Sequence, residues 1–404
     1  VAFNALPAAT TPDFRGLRYL TAPNMITSNS KNKHPKIENK GPKFTMNPHA
    51  HRCCQLNMGQ GWPYYAEHLW MATPDNGLAF VFYSDSVVKA KVGAGAEATL
   101  SAKTHYPFDE DVEIAFSLSK DQEFPIYLRI PGWCEKAELR INDTRIDVQT
   151  QPLSFLRIHR EWKNGDVVKL TLPMRLTVRT WAQIDNSVTV DRGPLTYSLK
   201  IAEKYMPIEG AVAVSREHVP DGWRRELSNE QLAAWPAFEI YPESPWNYGL
   251  VLDKENLDAS LKVVKKAWPS DSNAWGGIDA PIEIKAKGRR IPGWEKCEAT
   301  DLVGLMSESP VRSDEPIENI TLIPMGAARL RVTAFPWIDN GPEGKPWQTP
   351  PEPALSTPRD NPMPDRPAPS RKKPEVDKHA GTPGCAACES AGGLCAECAG
   401  AKTK

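Results

Sequence analysis

The chain has 404 residues, 40% hydrophobic and 25% charged, with 49 basic and 50 acidic side chains and a net charge of −1. That is the balance of a globular protein with room for two or three domains, and it leaves no basic footprint for a nucleic acid. No apolar run approaches the roughly 20 residues that a membrane-spanning helix needs. The sequence opens Val1-Ala2-Phe3-Asn4, without Met or a charged-then-apolar leader, so it reads as a fragment or a processed product. Compartment and oligomeric state stay unassigned on that basis.

Residues 1–52 show no sustained helical period, and Pro7, Pro12, Pro23, Pro35, Pro42 and Pro48 punctuate them. The stretch predicts an ordered connection with one short helix, laid over a body already folded. It is longer than a structureless connection in a compact domain should be, which points to function or to a missing body.

Next comes His51-Arg52-Cys53-Cys54-Gln55-Leu56-Asn57, followed by Gly59-Gln60-Gly61-Trp62-Pro63. Helical or extended geometry does not readily join neighbouring cysteines to each other, so the pair is two free thiols or two ligands for one cation. Thiolate is both the nucleophile and the soft metal ligand of cysteine chemistry, and zinc would keep both sulfurs deprotonated. The plainer reading makes them two small buried hydrophobes. Trp62, Tyr65, Leu69 and Trp70 then follow a helical period, predicting one amphipathic helix with Pro63 in its first turn and an end near Thr73-Pro74. Glu67 and His68 lie off its apolar stripe and read as solvated or helix-packing side chains.

From Asn76-Gly77 the period changes to two. Short strands are predicted at Leu78–Tyr83, Val87–Val92, Val112–Leu118, Ile126–Ile130, Ala137–Ile141, Phe155–Ile158, Val167–Leu172, Ser187–Val190 and Leu195–Leu199. Asn142-Asp143, Asn164-Gly165-Asp166 and Arg192-Gly193-Pro194 supply the turns, and strands at this spacing indicate an antiparallel sandwich. The 13 tryptophans suit sandwich cores, and also the stacking platforms of sugar-binding surfaces. Residues 205–310 are less regular. Ser228-Asn229-Glu230-Gln231 is a capping box for a short helix, strands recur at Ala237–Tyr241, Tyr248–Leu252 and Ile282–Ala286, and Ile320–Pro324 and Ala328–Phe335 are two further β-runs. Arg-Ile-Pro-Gly-Trp occurs at 129–133 and again at 290–294 with unmatched flanks, which reads as coincidence rather than duplication.

At Gly341 the composition turns to proline and charge, predicting an extended linker over 341–383. The tail, 384–404, carries Cys385-x2-Cys388-x6-Cys395-x2-Cys398. Paired thiols are a zinc signature, but the six-residue gap is short for a ribbon. With almost no apolar content, a metal-held knuckle or an unstructured redox-sensitive tail are the two options. Eight cysteines in a chain this long are too sparse for a disulfide scaffold.

Several spaced blocks resemble the β-L-arabinofuranosidase family, glycoside hydrolase family 127 and its relatives. They are Ala2–Ala9, Cys53-Cys54 with Asn57, Thr104–Phe108, Leu128–Cys134, Asp191–Tyr197, and Leu322–Gly326 with Leu330–Val332, spanning roughly residues 1–337. The resemblance implies a mainly β chain, with antiparallel β-sandwich domains following the last part of an (α/α)6-barrel catalytic domain. On that scheme 1–73 is the barrel remnant, 74–175 a β-sandwich and 176–340 a second β-rich domain. It also implies a carbohydrate substrate and a retaining reaction, with Cys53 as nucleophile and Cys53 and Cys54 as ligands of Zn2+. The acid/base glutamate and the remaining zinc ligands are expected upstream of Val1. Leu56 departs from the family, which often has proline there. The alternative is a non-catalytic carbohydrate-binding or scaffold β-sandwich protein.

Overall fold

Alternating burial along short strands builds most of this chain. The computed structural model describes residues 2–13, 15–18, 21–31, 33, 52–208 and 237–350, with 52–56 as backbone alone. The chain divides into Val1–Pro350 and Pro351–Lys404. Of the linker predicted over 341–383, residues 341–350 are described and pack on the body instead of running free: the Arg312 N–H donates to Lys345 O at 2.8 Å and the Trp347 ring lies 6.0 Å from that of Trp294. The rest of it, the Cys-rich tail and the predicted helix at 228–235 lie outside the described residues.

The first core sits between two sheets. One contains β1 (Trp70–Ala72), β2 (Leu78–Phe80), β6 (Gln122–Ile130) and β9 (Ser154–Trp162), in that order. The other runs β3 (Ser86–Val92), β4 (Ala96–Thr104), β5 (Asp111–Leu118), β10 (Val167–Thr171), β7 (Glu138–Ile141) and β8 (Thr144–Ile146). Every second residue of β5 (Val112, Ile114, Phe116, Leu118) is buried, which is the period-two pattern of a half-buried strand. The inner faces meet around Leu100, Ile126, Leu128, Trp162 and Val168, each at 0% exposure. Trp162 stacks on Phe116 with ring centroids 4.4 Å apart and donates its indole N–H to Phe124 O at 3.0 Å. The predicted Asn142-Asp143 turn joins β7 to β8, and both residues take left-handed φ (49° and 63°), as a tight two-residue hairpin requires.

The second core rests on a larger sheet. Its order is β11 (Leu176–Trp181), β12 (Ser187–Arg192), β13 (Leu195–Leu199), β19 (Ile317–Pro324), β18 (Ile282–Arg290), β16 (Tyr248–Val251) and β20 (Trp337–Ile338). In addition, β17 (Lys262–Lys265) pairs with β18. A separate ribbon pairs β14 (Glu203–Pro207) with β15 (Phe238–Pro242). Two pairings are parallel, β2 with β6 and β16 with β20; the other strand pairs are antiparallel.

Two expectations shift. The helix after the cysteine pair runs Arg52–Glu67, ten residues earlier than its apolar period suggested, so Pro63 is interior and Trp70–Ala72 is a strand. The period-3.6 stripe was masked in its first half by Arg52, Gln55, Gly59 and Gln60. Residues 328–335 are extended and buried but form no regular strand: Arg331 bridges to Met25, and Phe335 to Val188. What fixes that segment is a set of buried arginines. Arg18 donates to Ala8 O (2.7 Å) and Arg329 O (2.6 Å), and Arg329 to Thr10 O (2.8 Å) and Trp275 O (2.8 Å). Arg331 donates to Ala22 O (2.9 Å), Ala328 O (3.2 Å) and Thr21 Oγ1. Glu203 supplies the counter-charge, accepting the Arg329 and Leu330 N–H groups at 3.0 Å each. The N-terminal segment is thereby tied to 327–331 through backbone carbonyls, which satisfies charges that burial would otherwise make costly.

Candidate active site

Cys53 and Cys54 are the second and third residues of α2, our label for the Arg52–Glu67 helix; their side chains lie outside the described set. The first turn of a helix presents unpaired N–H groups and the positive end of the macrodipole, a setting that lowers thiol pKa and favours thiolate. The backbone of the cysteine pair lies in the first turn of α2.

α2 itself is a poor helix by composition. Gly59, Gly61 and Pro63 together leave it about 5 kcal/mol less favourable than an all-alanine helix. It is held by docking. The Tyr65 ring stacks on Phe82 (centroids 5.1 Å, 27°) and meets Phe3 edge-on (5.6 Å, 80°), while its hydroxyl donates to Tyr83 O at 3.2 Å. A Cβ on Gly61 would lie 3.2 Å from Leu6 Cδ1, so the glycine permits close approach to the short helix α1 (Ala5–Ala8).

The blocks that carry the family resemblance converge on this docking point. Phe3 also meets Tyr106 edge-on (5.6 Å), and Tyr106 contacts Tyr83 (5.6 Å) and Trp133 (6.5 Å). The Tyr83 hydroxyl donates to Arg129 O at 2.6 Å. Asn4 reads the Arg192-Gly193-Pro194 turn from both sides: its Nδ2 donates to Pro194 O, and its Oδ1 accepts the Thr196 N–H, both at 3.0 Å. A Cβ on Gly326 would lie 2.7 Å from Phe3 O. Arg192 pairs with Glu110, which also accepts the Met174 N–H at 3.2 Å. Residues some 320 positions apart in sequence thus meet in one aromatic junction at the C-terminal half of α2. Helical rise places that junction about 18 Å from the cysteine turn.

Burial raises the phenol pKa of Tyr65, Tyr83 and Tyr106, so all three stay neutral packing groups. Cys134, part of the Leu128–Cys134 block, is fully buried, and desolvation pushes its thiol up to about 11, which makes it inert. Neither Cys134 nor Cys297 is in a disulfide. Glu67 is exposed, and the exposed His68 has Nδ1 2.7 Å from Tyr64 O, a local helix-end contact. Among the described residues no three His, Cys, Asp or Glu side chains gather closely enough to hold a metal ion. Cys385, Cys388, Cys395 and Cys398 lie outside those residues. What sequence reasoning missed is the junction: Phe3, Tyr65, Phe82, Tyr83 and Tyr106 are spread over separate elements, and only their aromatic character signalled it.

Residues 77–174 match the family model for the β-L-arabinofuranosidase GH127 middle domain, the first sandwich. Among solved structures, one titled a glycoside hydrolase has a TM-score of 0.54 at 19% identity, covering 84% of this chain and 47% of its own. A GH127 β-arabinofuranosidase has a TM-score of 0.51 at 17% identity, covering 85% and 45%. A GH127 β-L-arabinofuranosidase from Geobacillus Stearothermophilus has a TM-score of 0.49 at 18% identity, covering 84% and 45%. No curated protein matches. The chain spans less than half the length of each of these structures. No membrane-crossing helix occurs among the described residues. The first sandwich matches the GH127 middle domain, and about 84–85% of the chain shares its fold with two of these solved structures, one titled a glycoside hydrolase and one a GH127 β-arabinofuranosidase.

Proposed function

We propose that this chain is part of a retaining glycoside hydrolase that removes β-L-arabinofuranosyl or related sugar units, with Cys53 as the nucleophile. The observation that carries the reading is the Cys53-Cys54 pair in the first turn of a helix docked onto a GH127 middle domain. The rest of an (α/α)6-barrel, with α2 as one of its helices, belongs to the same proposal.

In such a reaction the Cys53 sulfur attacks the anomeric carbon as the glycosidic C–O bond breaks. The leaving oxygen takes a proton from a general acid that no residue of this chain is assigned to be. Water then attacks the same carbon, the C–S bond breaks, and sulfur departs as thiolate while the water proton passes to the conjugate base. The helix N-terminus favours the thiolate at both ends of that cycle. Two adjacent soft sulfurs suit zinc as a donor set. Cys53 and Cys54 would hold it, and when bound it supplies charge that keeps both sulfurs ionised at neutral pH. They are two of the four ligands a closed tetrahedral site takes.

The test is release of L-arabinose from an aryl β-L-arabinofuranoside by the intact protein. Cys53→Ser abolishes it if the assignment is right, and retained turnover overturns it. The alternative, a non-catalytic glycan-binding sandwich, predicts no zinc at Cys53 and Cys54 and no turnover in the unmutated protein. For the tail, zinc binding by Cys385, Cys388, Cys395 and Cys398 is a separate proposal, checked by the thiolate charge-transfer bands of a cobalt titration.

A further inference from the structure

We infer that a cleft on the second β-rich region binds a neutral saccharide. The cleft is a broad opening to solvent with a volume of about 640 Å³, within the range of small-ligand sites. One wall is the segment joining β15 to β16, and the other is the turn that follows β18, the second Arg-Ile-Pro-Gly-Trp string.

Its floor is rigid. Trp294 is fully buried and donates its indole N–H to Gly304 O at 2.9 Å. Asn247, also buried, donates to Ile291 O (2.9 Å) and Trp294 O (3.3 Å) and accepts Arg290 Nε at 2.7 Å. These bonds lock both walls to each other, so the cleft is preformed. Against that floor stands Trp246, half-buried and edge-on to Trp294 with centroids 5.4 Å apart. Part of its ring therefore lines the opening.

The rim decides the ligand class. Glu243, Glu295 and Glu298 are exposed, and among the described residues no donor pairs with their carboxylates. Two cations line the cleft and both have partners: Lys296 pairs with Asp301 at 3.1 Å, and Arg290 gives its Nε to Asn247 and keeps its terminal nitrogens for a ligand. Three unpaired carboxylates against two cations that already have partners disfavour an anion. No three ligating side chains converge there, so a bare metal ion lacks a cage. A neutral molecule rich in hydroxyls fits both features: its O–H groups donate to the carboxylates and its oxygens accept from Arg290. The C–H face of a sugar ring packs on indole, since the aromatic face is electron-rich. A saccharide is the common class with that combination, and the inference stands whether or not the chain is part of a hydrolase.

Saturation-transfer-difference NMR of the intact chain with L-arabinose and, separately, D-galactose, each titrated to about 50 mM, tests it in the affinity range expected of a single-ring contact. Saturable transfer is expected from at least one sugar, weakened about tenfold by Trp246→Ala and weakened also by Glu295→Gln, an exposed substitution that leaves the fold intact. Near-UV circular dichroism checks that Trp246→Ala keeps its tertiary packing. No saturable transfer from either sugar overturns the inference. So does transfer that both variants retain unchanged.

Discussion

Tyr65→Ala is the perturbation that most sharply tests how the cysteine turn is positioned. Tyr65 contributes one stacked and two edge-on aromatic pairs, with Phe82, Phe3 and Trp62, and one hydrogen bond to Tyr83 O at 3.2 Å. Aromatic pairs are worth about 0.5–1.5 kcal/mol each and the hydrogen bond about 1 kcal/mol. The Trp62 pair lies within α2 itself, so removing the ring and hydroxyl together costs about 2–4 kcal/mol of docking energy, from the Phe82 and Phe3 pairs and the hydrogen bond. Gly59, Gly61 and Pro63 already leave α2 about 5 kcal/mol below an alanine helix, so the helix has no intrinsic stability to fall back on. Loss of the anchor should release α2 along its whole length, including the Cys53-Cys54 turn. Hydrogen exchange reads this directly: amides of 57–62 and 64–67 lose protection while β10 and β18 keep theirs. Tyr65→Phe, which removes only the hydroxyl, loses about a third of the docking energy on the same reckoning and leaves most of the protection. Unchanged exchange in Tyr65→Ala, or an equal loss in the strands, would refute the view that this junction specifically holds α2.

Arg331→Leu strands the part-buried Ala22 carbonyl and the buried Ala328 carbonyl, and should cost about 2 kcal/mol in denaturant unfolding. Gly193→Ala forces a left-handed φ of 57° on alanine and sets a Cβ 2.6 Å from Met174 Sδ, a destabilisation of about 1–2 kcal/mol by thermal melting. Cys134 should be unreactive to a thiol reagent at pH 8 in the native state. Its folded pKa is raised from 9.0 to about 11, so the stability it contributes is fully present below about 9 and is lost as pH rises to about 11. Cys134→Ala should flatten the fall in stability over that window, and an unaltered pH profile would contradict it.

Much of the β architecture was written in alternation. Val112, Ile114, Phe116 and Leu118 announce β5, and Asn142-Asp143 announces its hairpin turn through residues that tolerate positive φ. β4 escaped because its buried positions are Ala96, Ala98, Leu100 and Ala102, and alanine carries little strand signal even in the middle of a sheet. β20 pairs through two residues, too few for any period to show. α2 was legible only in its second half, since glycine and proline dilute a helix whose stability comes from neighbours distant in sequence. The cysteine pair stands out as chemistry, yet the residues that dock its helix are aromatics from five separate stretches. Arg18, Arg329 and Arg331 are invisible as core residues by composition, because a buried arginine depends on carbonyls that only the fold supplies.

The most direct measurement is peptide mapping of the intact protein after acid quench during turnover of an aryl β-L-arabinofuranoside. The account predicts a pentosyl adduct on the peptide that carries Cys53, localised to that sulfur. An adduct on a carboxylate elsewhere, with Cys53 unmodified throughout turnover, would contradict it.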